Sequence, residues 1–315
     1  MKIALITPAA PGSRHGNRGN ATRWAAMLHE LGHTVSVQVE WDGRAADLML
    51  ALHARRSAAS IRNYVMCYAD QPLILALTGT DLYRDIRTDE EAQESMRVAT
   101  RMIVLQDMGL AELAPALRRK TRVVVQSAPV VKRPPPLKSC FEVVVSGHLR
   151  DEKDPFRAAA ALKYLSAYSR IRVTHIGGAM SDAMAREARD WMARDKRYRW
   201  LGEVTHGKAL RLLARSRLMV ISSRMEGGAN VVSEALANNV PVVASNISGN
   251  IGMLGKNYVG YYALEDEYEL ALILARAEGD PTYLRALARL CLRRKPLVSY
   301  KAERDALRRV ISEIT

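Results

Sequence analysis

The sequence predicts an α/β protein of two domains. Its 315 residues exceed the usual size of one compact domain. Short apolar runs, typical of buried parallel strands, alternate along the chain with segments of helical periodicity. The proline run at residues 134–136 is stiff and unsuited to a helix or a central strand, which is typical of a linker. We therefore predict a first domain over residues 1–138 and a second over residues 139–297.

Composition and charge narrow the classes of partner. The chain has 47 basic and 33 acidic residues, a net charge of +14 that favours anionic partners. Nucleic acid is not expected, because only two Phe are present and no zinc, helix-turn-helix or RNP pattern is found. The three scattered cysteines fit a reducing compartment. The N-terminal apolar run is too short for a signal peptide or membrane span, so we expect a cytoplasmic protein without an integral membrane segment.

The opening of the chain predicts a strand, a glycine-rich loop and a helix. Residues 2–7 are a short apolar run, residues 21–31 have helical periodicity, and residues 34–40 supply the next strand. Loop amides and helix N-termini at the carboxyl edge of a parallel sheet bind anions, so the loop is interpreted as an anion-binding site rather than a solvated turn. The residues assigned to it are Gly12, Arg14, Gly16, Asn17 and Arg18.

The rest of the first domain supplies four further strands, at residues 47–52, 72–77, 101–105 and 122–125. His53 follows the first of these strands, and Thr78 follows the second. A histidine at the carboxyl end of a strand is either a proton shuttle or a structural residue with its hydrogen bonds satisfied, and the sequence leaves both interpretations open.

The second domain repeats the pattern. Strands are predicted at residues 142–146, 171–178, 198–204 and 218–222, and the chain is helical from residue 265 onward, with a final amphipathic helix over about 301–314. A basic cluster at residues 289–295 is interpreted as a solvated helix face rather than a surface for acidic membranes.

The stretch at residues 221–245 is the strongest functional signal, with the order strand, tight loop, helix, strand. Gly227 and Gly228 allow the backbone to approach a ligand, and the helix that follows offers unpaired amides to an anion. Glu234 lies one helical turn beyond Asn230, where a carboxylate beside a phosphate suits the vicinal diol of a ribose. A simple corner between strand and helix is the alternative.

The motif S-x-x-E-G-G-x-x-x-x-x-E-A-L-A at residues 223–237 resembles the nucleotide-sugar-binding motif of retaining, family 4-like glycosyltransferases with GT-B architecture. The resemblance implies two Rossmann-like domains facing across a cleft, with residues 298–315 crossing back to the first domain. It implies that Glu226 binds sugar hydroxyls and Glu234 binds ribose hydroxyls. The remaining donor contacts that it implies come from the loop and helix start, at Gly227, Gly228, Ala229 and Asn230.

The chain departs from that family at several positions. Where the family has G-R-L-x-x-E-K-G, residues 147–154 are GHLRDEKD, so Lys153 matches while His148 replaces an arginine. Arg150 is expected to assist at the diphosphate, since a guanidinium grips phosphate more firmly than an imidazole. Thr78 stands where many relatives carry a histidine near the reacting sugar. We expect no metal, because lysine and a helix N-terminus neutralise the leaving diphosphate.

Within this superfamily, the segments TPAAPGSRHGNRGNATR and LTGTDLYRDI look like the selenosugar synthase branch of selenoneine biosynthesis. Members transfer a sugar from a UDP-sugar to selenophosphate and form a carbon–selenium bond. The resemblance implies UDP-glucose or UDP-N-acetylglucosamine as donor and selenophosphate as acceptor. The acceptor site that it implies consists of the glycine-rich loop residues given above together with Thr78. The residues expected to carry catalysis are Glu226, Lys153 and His53. The alternatives are a glycosyltransferase for a hydroxyl acceptor and a non-catalytic nucleotide-sugar-binding protein.

Overall fold

The computed structural model of the protein describes residues 1–13 and 16–314. They form two compact units, Met1–Gln126 with Tyr300–Thr315 and Ser127–Ser299. Each unit is built on a six-stranded sheet in which the paired strands are parallel. The predicted α/β class with two Rossmann-like domains is confirmed. In the described part of the chain, no helix is both long and apolar enough to cross a bilayer.

The first sheet has the strand order β2-β1-β3-β4-β5-β6. Its strands are β1 (Lys2–Ile6), β2 (Thr34–Gln38), β3 (Leu48–Leu52), β4 (Leu73–Leu77), β5 (Arg101–Val104) and β6 (Thr121–Val123). The helices around it are α1 (Gly16–Glu30), α2 (Ala58–Cys67), α3 (Ile86–Thr88), α4 (Glu90–Val98) and α5 (Pro115–Arg119), with a π-helical turn at Asp81–Asp85 and a 3-10 turn at Asp107–Leu110.

Both faces of this sheet are covered, which explains the continuous apolar runs of its strands. Alternate residues enter two separate clusters: Leu50 packs in the cluster that contains Trp24 of α1, and Met49 packs in the one that contains Tyr64 of α2. All of β3 and β4 is buried. Strands buried on both faces have no polar alternation, as the sequence predicted.

The second sheet has the order β12-β11-β10-β7-β8-β9. Its strands are β7 (Phe141–Ser146), β8 (Ile171–Ile176), β9 (Tyr198–Trp200), β10 (Leu218–Ile221), β11 (Val242–Ser245) and β12 (Tyr261–Tyr262). The helices are α6 (Arg157–Ala161), α7 (Asp182–Arg194), α8 (His206–Arg215), α9 (Asn230–Ala237), α10 (Ser248–Leu254), α11 (Glu267–Gly279) and α12 (Pro281–Arg294), with 3-10 turns at Asp151–Lys153, Leu162–Tyr164 and Lys295–Val298.

Each sheet has one point where the strand order reverses. In the first sheet β1 lies between β2 and β3, and in the second β7 lies between β8 and β10. Chain segments leaving two such neighbouring strands diverge to opposite sides and open a crevice at their carboxyl ends, the usual ligand site of open α/β sheets. The crevices therefore lie after β1 and β3 in one unit and after β7 and β10 in the other.

The last helix, α13 (Tyr300–Ser312), belongs to the first unit and packs on α1. Its buried Glu303 accepts hydrogen bonds from Arg23 Nε at 2.8 Å and from the indole nitrogen of Trp24 at 2.7 Å. The expected return of the C-terminal helix to the first domain is confirmed. Arg23 donates hydrogen bonds to this carboxylate. Its side chain therefore stabilises the packing of α13 on α1 rather than the glycine-rich loop before α1.

The proline-rich segment lies in the second unit, so the division falls at residue 126 rather than at the predicted residue 138. Val131 N donates to Asn238 Oδ1 at 2.9 Å, and Asn238 Nδ2 donates to Pro129 O at 3.0 Å. Arg133 Nε donates to Ala214 O at 3.0 Å. These bonds attach the segment to α9 and α8, contacts that its composition alone does not reveal.

One helix begins where the sequence predicted a loop. Helix α1 starts at Gly16 rather than near residue 21. Glycine and asparagine have low helix propensity, which favoured the loop interpretation. Burial of Ala21, Trp24, Met27 and Leu28 along the same helix outweighs the low propensity of its first residues.

Candidate functional site

An open cleft lies at the point where the strand order of the second sheet reverses. Its walls come from the segments that follow β7 and β10. The side chains and glycines that carry its chemistry are Gly147, His148, Lys153, His175, Ser222, Ser223 and Glu226. Three of the predicted donor-site residues, His148, Lys153 and Glu226, therefore meet in one cleft.

Lys153 and Glu226 form an ion pair at the floor of this cleft. Their side chains are only 21% and 8% exposed. Ser223 Oγ donates a second hydrogen bond to the same carboxylate oxygen at 2.6 Å. The two residues assigned to diphosphate and sugar hydroxyls thus lie in direct contact. A bound anion beside Lys153 would share its ammonium with Glu226, whose second oxygen is left to accept from hydroxyl groups.

The loops carrying these two residues are joined to each other. Ser222 Oγ lies 2.8 Å from the carbonyl oxygen of Asp154, which has a left-handed backbone conformation at φ 43°. The backbone N–H of Arg224 donates to Glu152 O at 2.9 Å, and its guanidinium donates to Asp151 O at 2.6 Å. Because of these bonds, the position of the loop that carries Lys153 depends on the loop that carries Glu226.

The loop after Glu226 leads directly into α9, as predicted. Ala229 is the N-cap residue, and its methyl group cannot accept from the first amides of the helix. Those amides are therefore available to an anion, whose charge the helix dipole also favours. Glu234 follows one turn later, and its Oε1 lies 2.7 Å from the Nε2 of His206, the first residue of α8.

His148 has a defined hydrogen-bonding role. The backbone N–H of Gly178 donates to its Nδ1 at 3.2 Å, so that nitrogen is unprotonated and the ring proton is on Nε2. Nε2 is then a hydrogen-bond donor where the related motif has a guanidinium. Arg150, the other cation assigned to this position, is exposed at the start of the 3-10 turn.

His175 lies beneath this loop and is fully buried. Its Nδ1 lies 2.9 Å from the hydroxyl of Tyr198, and its Nε2 lies 3.3 Å from Gly147 O. Burial lowers the pKa of His175 to about 4, so the ring is neutral at pH 7. The backbone of Gly177 passes directly beside the backbone of Gly147 with a φ of 148°, and a Cβ on Gly177 would lie 1.9 Å from Gly147 O. A glycine is required for the two loops to pass.

The first unit carries the residues assigned to the acceptor. Arg14 lies outside the described residues. Gly12 has φ 79°, and Gly16, Asn17 and Arg18 form the first turn of α1 rather than a loop. Among the described residues, the buried NH1 of Arg18 has no hydrogen-bond partner. Thr78 follows β4, and its backbone N–H donates to Asp81 Oδ1 at 3.0 Å, so only its hydroxyl remains for a ligand. His53 follows β3 at the crevice and is buried.

Residues 133–287 match the family model described as Glycosyl transferases group 1. The matched stretch is 155 of the 315 residues, just under half of the chain, and it resembles a group 1 glycosyl transferase domain. The glycogen synthase of Mycobacterium tuberculosis (strain H37Rv) is 35% identical over 115 residues, which cover 34% of this chain and 26% of that protein. The chain thus matches about a quarter of the length of this curated relative.

Solved structures share the fold over the whole chain. Anabaena Alr3699/HepE in complex with UDP has a TM-score of 0.79 and 16% identity, and the match covers 99% of this chain and 100% of that one. Sucrose-phosphate synthase from Thermosynechococcus elongatus has a TM-score of 0.76 and 16% identity, with coverages of 99% and 98%. These similarities show that the chain has the GT-B fold, and residues 133–287 lie within its second unit.

Sequence reasoning assigned no role to two residues of the second unit. His206 was not singled out, because its contact with Glu234 depends on how α8 packs beside α9. Gly249 was not assigned a role either. A Cβ on Gly249 would lie 2.0 Å from the backbone oxygen of Glu226 and 2.9 Å from its Cβ. The glycine therefore sets how closely α10 packs behind Glu226.

We expect Gly249→Ala to slow a reaction that depends on Glu226 by about 10–100-fold, because a displacement near 1 Å has that effect on catalysis. The added methyl group must move the backbone of Glu226, since the contacted atom is a carbonyl oxygen. Gly279→Ala is the matched control, because a Cβ at Gly279 meets nothing within 4 Å. Equal rates in the two variants would contradict the assigned role of Glu226.

Proposed function

We propose that this protein is a glycosyltransferase that moves a hexose or N-acetylhexosamine from a UDP-sugar to selenophosphate. The proposal that the donor is a UDP-sugar depends on the Lys153–Glu226 pair, which lies in one cleft with the start of α9. Glu234 follows one helical turn after the start of that helix. An ammonium, helix amides and a carboxylate at this spacing match a diphosphate followed by a ribose. The UDP complex of the similar Alr3699/HepE structure supports UDP as the nucleotide.

The proposal that selenophosphate is the acceptor depends on residues of the first unit. The N-terminal turn of α1 presents Arg18 and backbone amides at the crevice beside β1, an arrangement suited to a small oxyanion. The resemblance of residues 7–23 and 77–86 to the selenosugar synthases supports selenophosphate as that oxyanion. A deprotonated acceptor needs no strong base, which agrees with the presence of Thr78 where many relatives have a histidine.

In the proposed reaction, a selenium lone pair forms the bond to the anomeric carbon as the bond from that carbon to the diphosphate oxygen breaks. The electron pair leaves on UDP, where Lys153, the Nε2–H of His148 and the α9 amides stabilise the negative charge. Glu226 orients the sugar through its hydroxyls. Hydrolysis of the Se–P bond then gives the selenol sugar and phosphate, and no protein group is assigned to that step. No metal is invoked.

The first experiment is to measure UDP release from UDP-glucose and UDP-N-acetylglucosamine with and without selenophosphate, followed by mass spectrometry. Release that depends on selenophosphate, with a selenium isotope pattern on the sugar, is the expected result. Release that depends instead on a hydroxyl acceptor would replace the acceptor assignment. Binding of UDP-sugar without release in any of these mixtures would favour a non-catalytic binding protein.

We expect Glu234→Ala to weaken UDP binding by about 10–100-fold, because hydrogen bonds to a charged group contribute about 1.5–3 kcal/mol. Isothermal titration with UDP measures the effect. Glu187→Ala, which removes an exposed carboxylate from α7, is the matched control. Unchanged UDP affinity in the Glu234 variant would refute the ribose assignment while leaving the fold untouched.

A further inference from the structure

His53 lies at the carboxyl end of β3 in an unusual backbone conformation. Its φ of 77° is in the left-handed region, and its side chain is 3% exposed. Its backbone N–H donates to Ala76 O at 2.8 Å, and its carbonyl accepts from Ser57 N at 3.1 Å. Non-glycine residues keep this conformation only where the surroundings fix it, and such positions cluster at functional sites.

The contacts of the imidazole define where its proton is. The backbone N–H of Arg56 donates to Nδ1 at 3.3 Å, so Nδ1 is the acceptor and the proton is on Nε2. Nε2 lies 3.1 Å from Thr80 Oγ1, to which it donates. The hydroxyl of Thr80 therefore accepts from the ring, and its own hydrogen is directed to another partner.

The charged groups that face His53 do not keep its imidazole ring in the protonated form. Asp81 lies 4.0 Å from Nδ1 and Asp85 lies 3.9 Å from Nε2, while Arg55 and Arg56 approach from the loop after β3. Burial outweighs the two carboxylates and lowers the pKa of His53. The ring is therefore neutral at pH 7 and acts as a donor.

The carboxylates have other partners. Asp81 accepts from the backbone N–H groups of Ala54, Thr78 and Gly79 at 3.0, 3.0 and 2.8 Å. Asp85 is 3.1 Å from Arg84 Nε and 3.6 Å from Arg55 NH1. They shape the loop at residues 78–80 and the π-helical turn after it, a form of helix that is frequent at functional sites. Thr80, partly exposed, precedes that turn.

We propose that His53 is a positioning residue that orients the Thr80 hydroxyl as a hydrogen-bond donor to an anionic oxygen of the acceptor. The inference rests on the proposed function, because it needs an oxyanion at the carboxyl edge of the first sheet. It assigns His53 no proton transfer. Thr80 joins the acceptor site as a donor that binds an anionic, phosphate-like oxygen more strongly than a neutral hydroxyl.

The test compares Thr80→Val, Thr80→Ser, His53→Gly and the double variant His53→Gly/Thr80→Val. Glycine at position 53 accepts φ 77° without strain, so loss of the ring is not combined with backbone strain. We expect Thr80→Val and His53→Gly each to raise the KM for selenophosphate at least tenfold, with little change in kcat or in UDP affinity. Thr80→Ser is expected to retain the wild-type KM.

The double variant distinguishes positioning from a structural role. If His53 acts through Thr80, the double variant has the same KM as Thr80→Val, whereas independent effects would multiply. Multiplying effects, or an unchanged KM in Thr80→Val, would overturn the proposal. Binding of inorganic phosphate to the same four proteins, measured by titration calorimetry, tests the contact without turnover. If wild-type protein binds phosphate through Thr80 but releases no UDP with selenophosphate, the proposed function fails and this contact stands.

Discussion

Replacing Lys153 with methionine is expected to slow UDP release from a UDP-sugar by about 10²–10³-fold, the usual effect of losing one group that stabilises transition-state charge. The ammonium lies in the cleft beside the loop that leads into α9, where the proposed reaction develops negative charge on the leaving diphosphate. The substitution also leaves the largely buried Glu226 without its cation. Initial rates of UDP release measure the effect.

Three variants make this result interpretable. Lys153→Arg keeps the charge on a longer, planar group and is expected to retain part of the activity. Lys196→Met removes an exposed cation from the same unit and should leave the rate unchanged. Lys153→Met/Glu226→Gln removes both charges, so a stable but inactive double variant separates catalysis from folding. A rate within twofold of wild type in Lys153→Met would show that the pair is only structural.

The second large effect is on stability. Glu303→Ala is expected to lower the free energy of unfolding by about 2–4 kcal/mol, because it leaves the Trp24 indole and the Arg23 guanidinium without their acceptor. Glu303 is 1% exposed and joins α13 to α1 over most of the length of the chain. Denaturation in urea measures the change.

A carboxylate close by in sequence supplies the comparison. Glu313 pairs with Arg101 and Arg122 at the surface, with its side chain 32% exposed. Glu313→Ala is expected to cost less than about 1 kcal/mol, as solvent screens such pairs. Glu303→Gln should be intermediate, since its amide oxygen still accepts from the indole. Equal losses at residues 303 and 313 would show that α13 is not docked through Glu303.

The sequence was sufficient to predict the strands and the donor loop. Buried parallel strands are continuous apolar runs, and β3 and β4 were recognised within one residue of their ends. The loop from Glu226 into α9 is equally local, because glycines and a helix start lie next to each other in sequence. Features determined by neighbouring residues were therefore predictable.

Contacts between distant residues were not. Glu303 meets Arg23 across 280 residues, and Val131 meets Asn238 across 107. No sequence pattern near either residue indicates its partner. The hydrogen bonds to Glu303 that fix α13, and the packing of the proline segment, could therefore be identified only from the structure. The start of α1 was missed for a related reason, since buried contacts there outweigh a low local propensity.

The placement of α13 in the first unit has a consequence for synthesis on the ribosome. Glu303 is translated 280 residues after Arg23, which at about 5–20 residues per second is a delay of tens of seconds. During that interval the sheet of the first unit can assemble while the surface of α1 that receives α13 is still uncovered. The second unit, contained within Ser127–Ser299, is complete before that surface is closed. The half of the protein that is translated first therefore cannot finish folding until the second half has been translated.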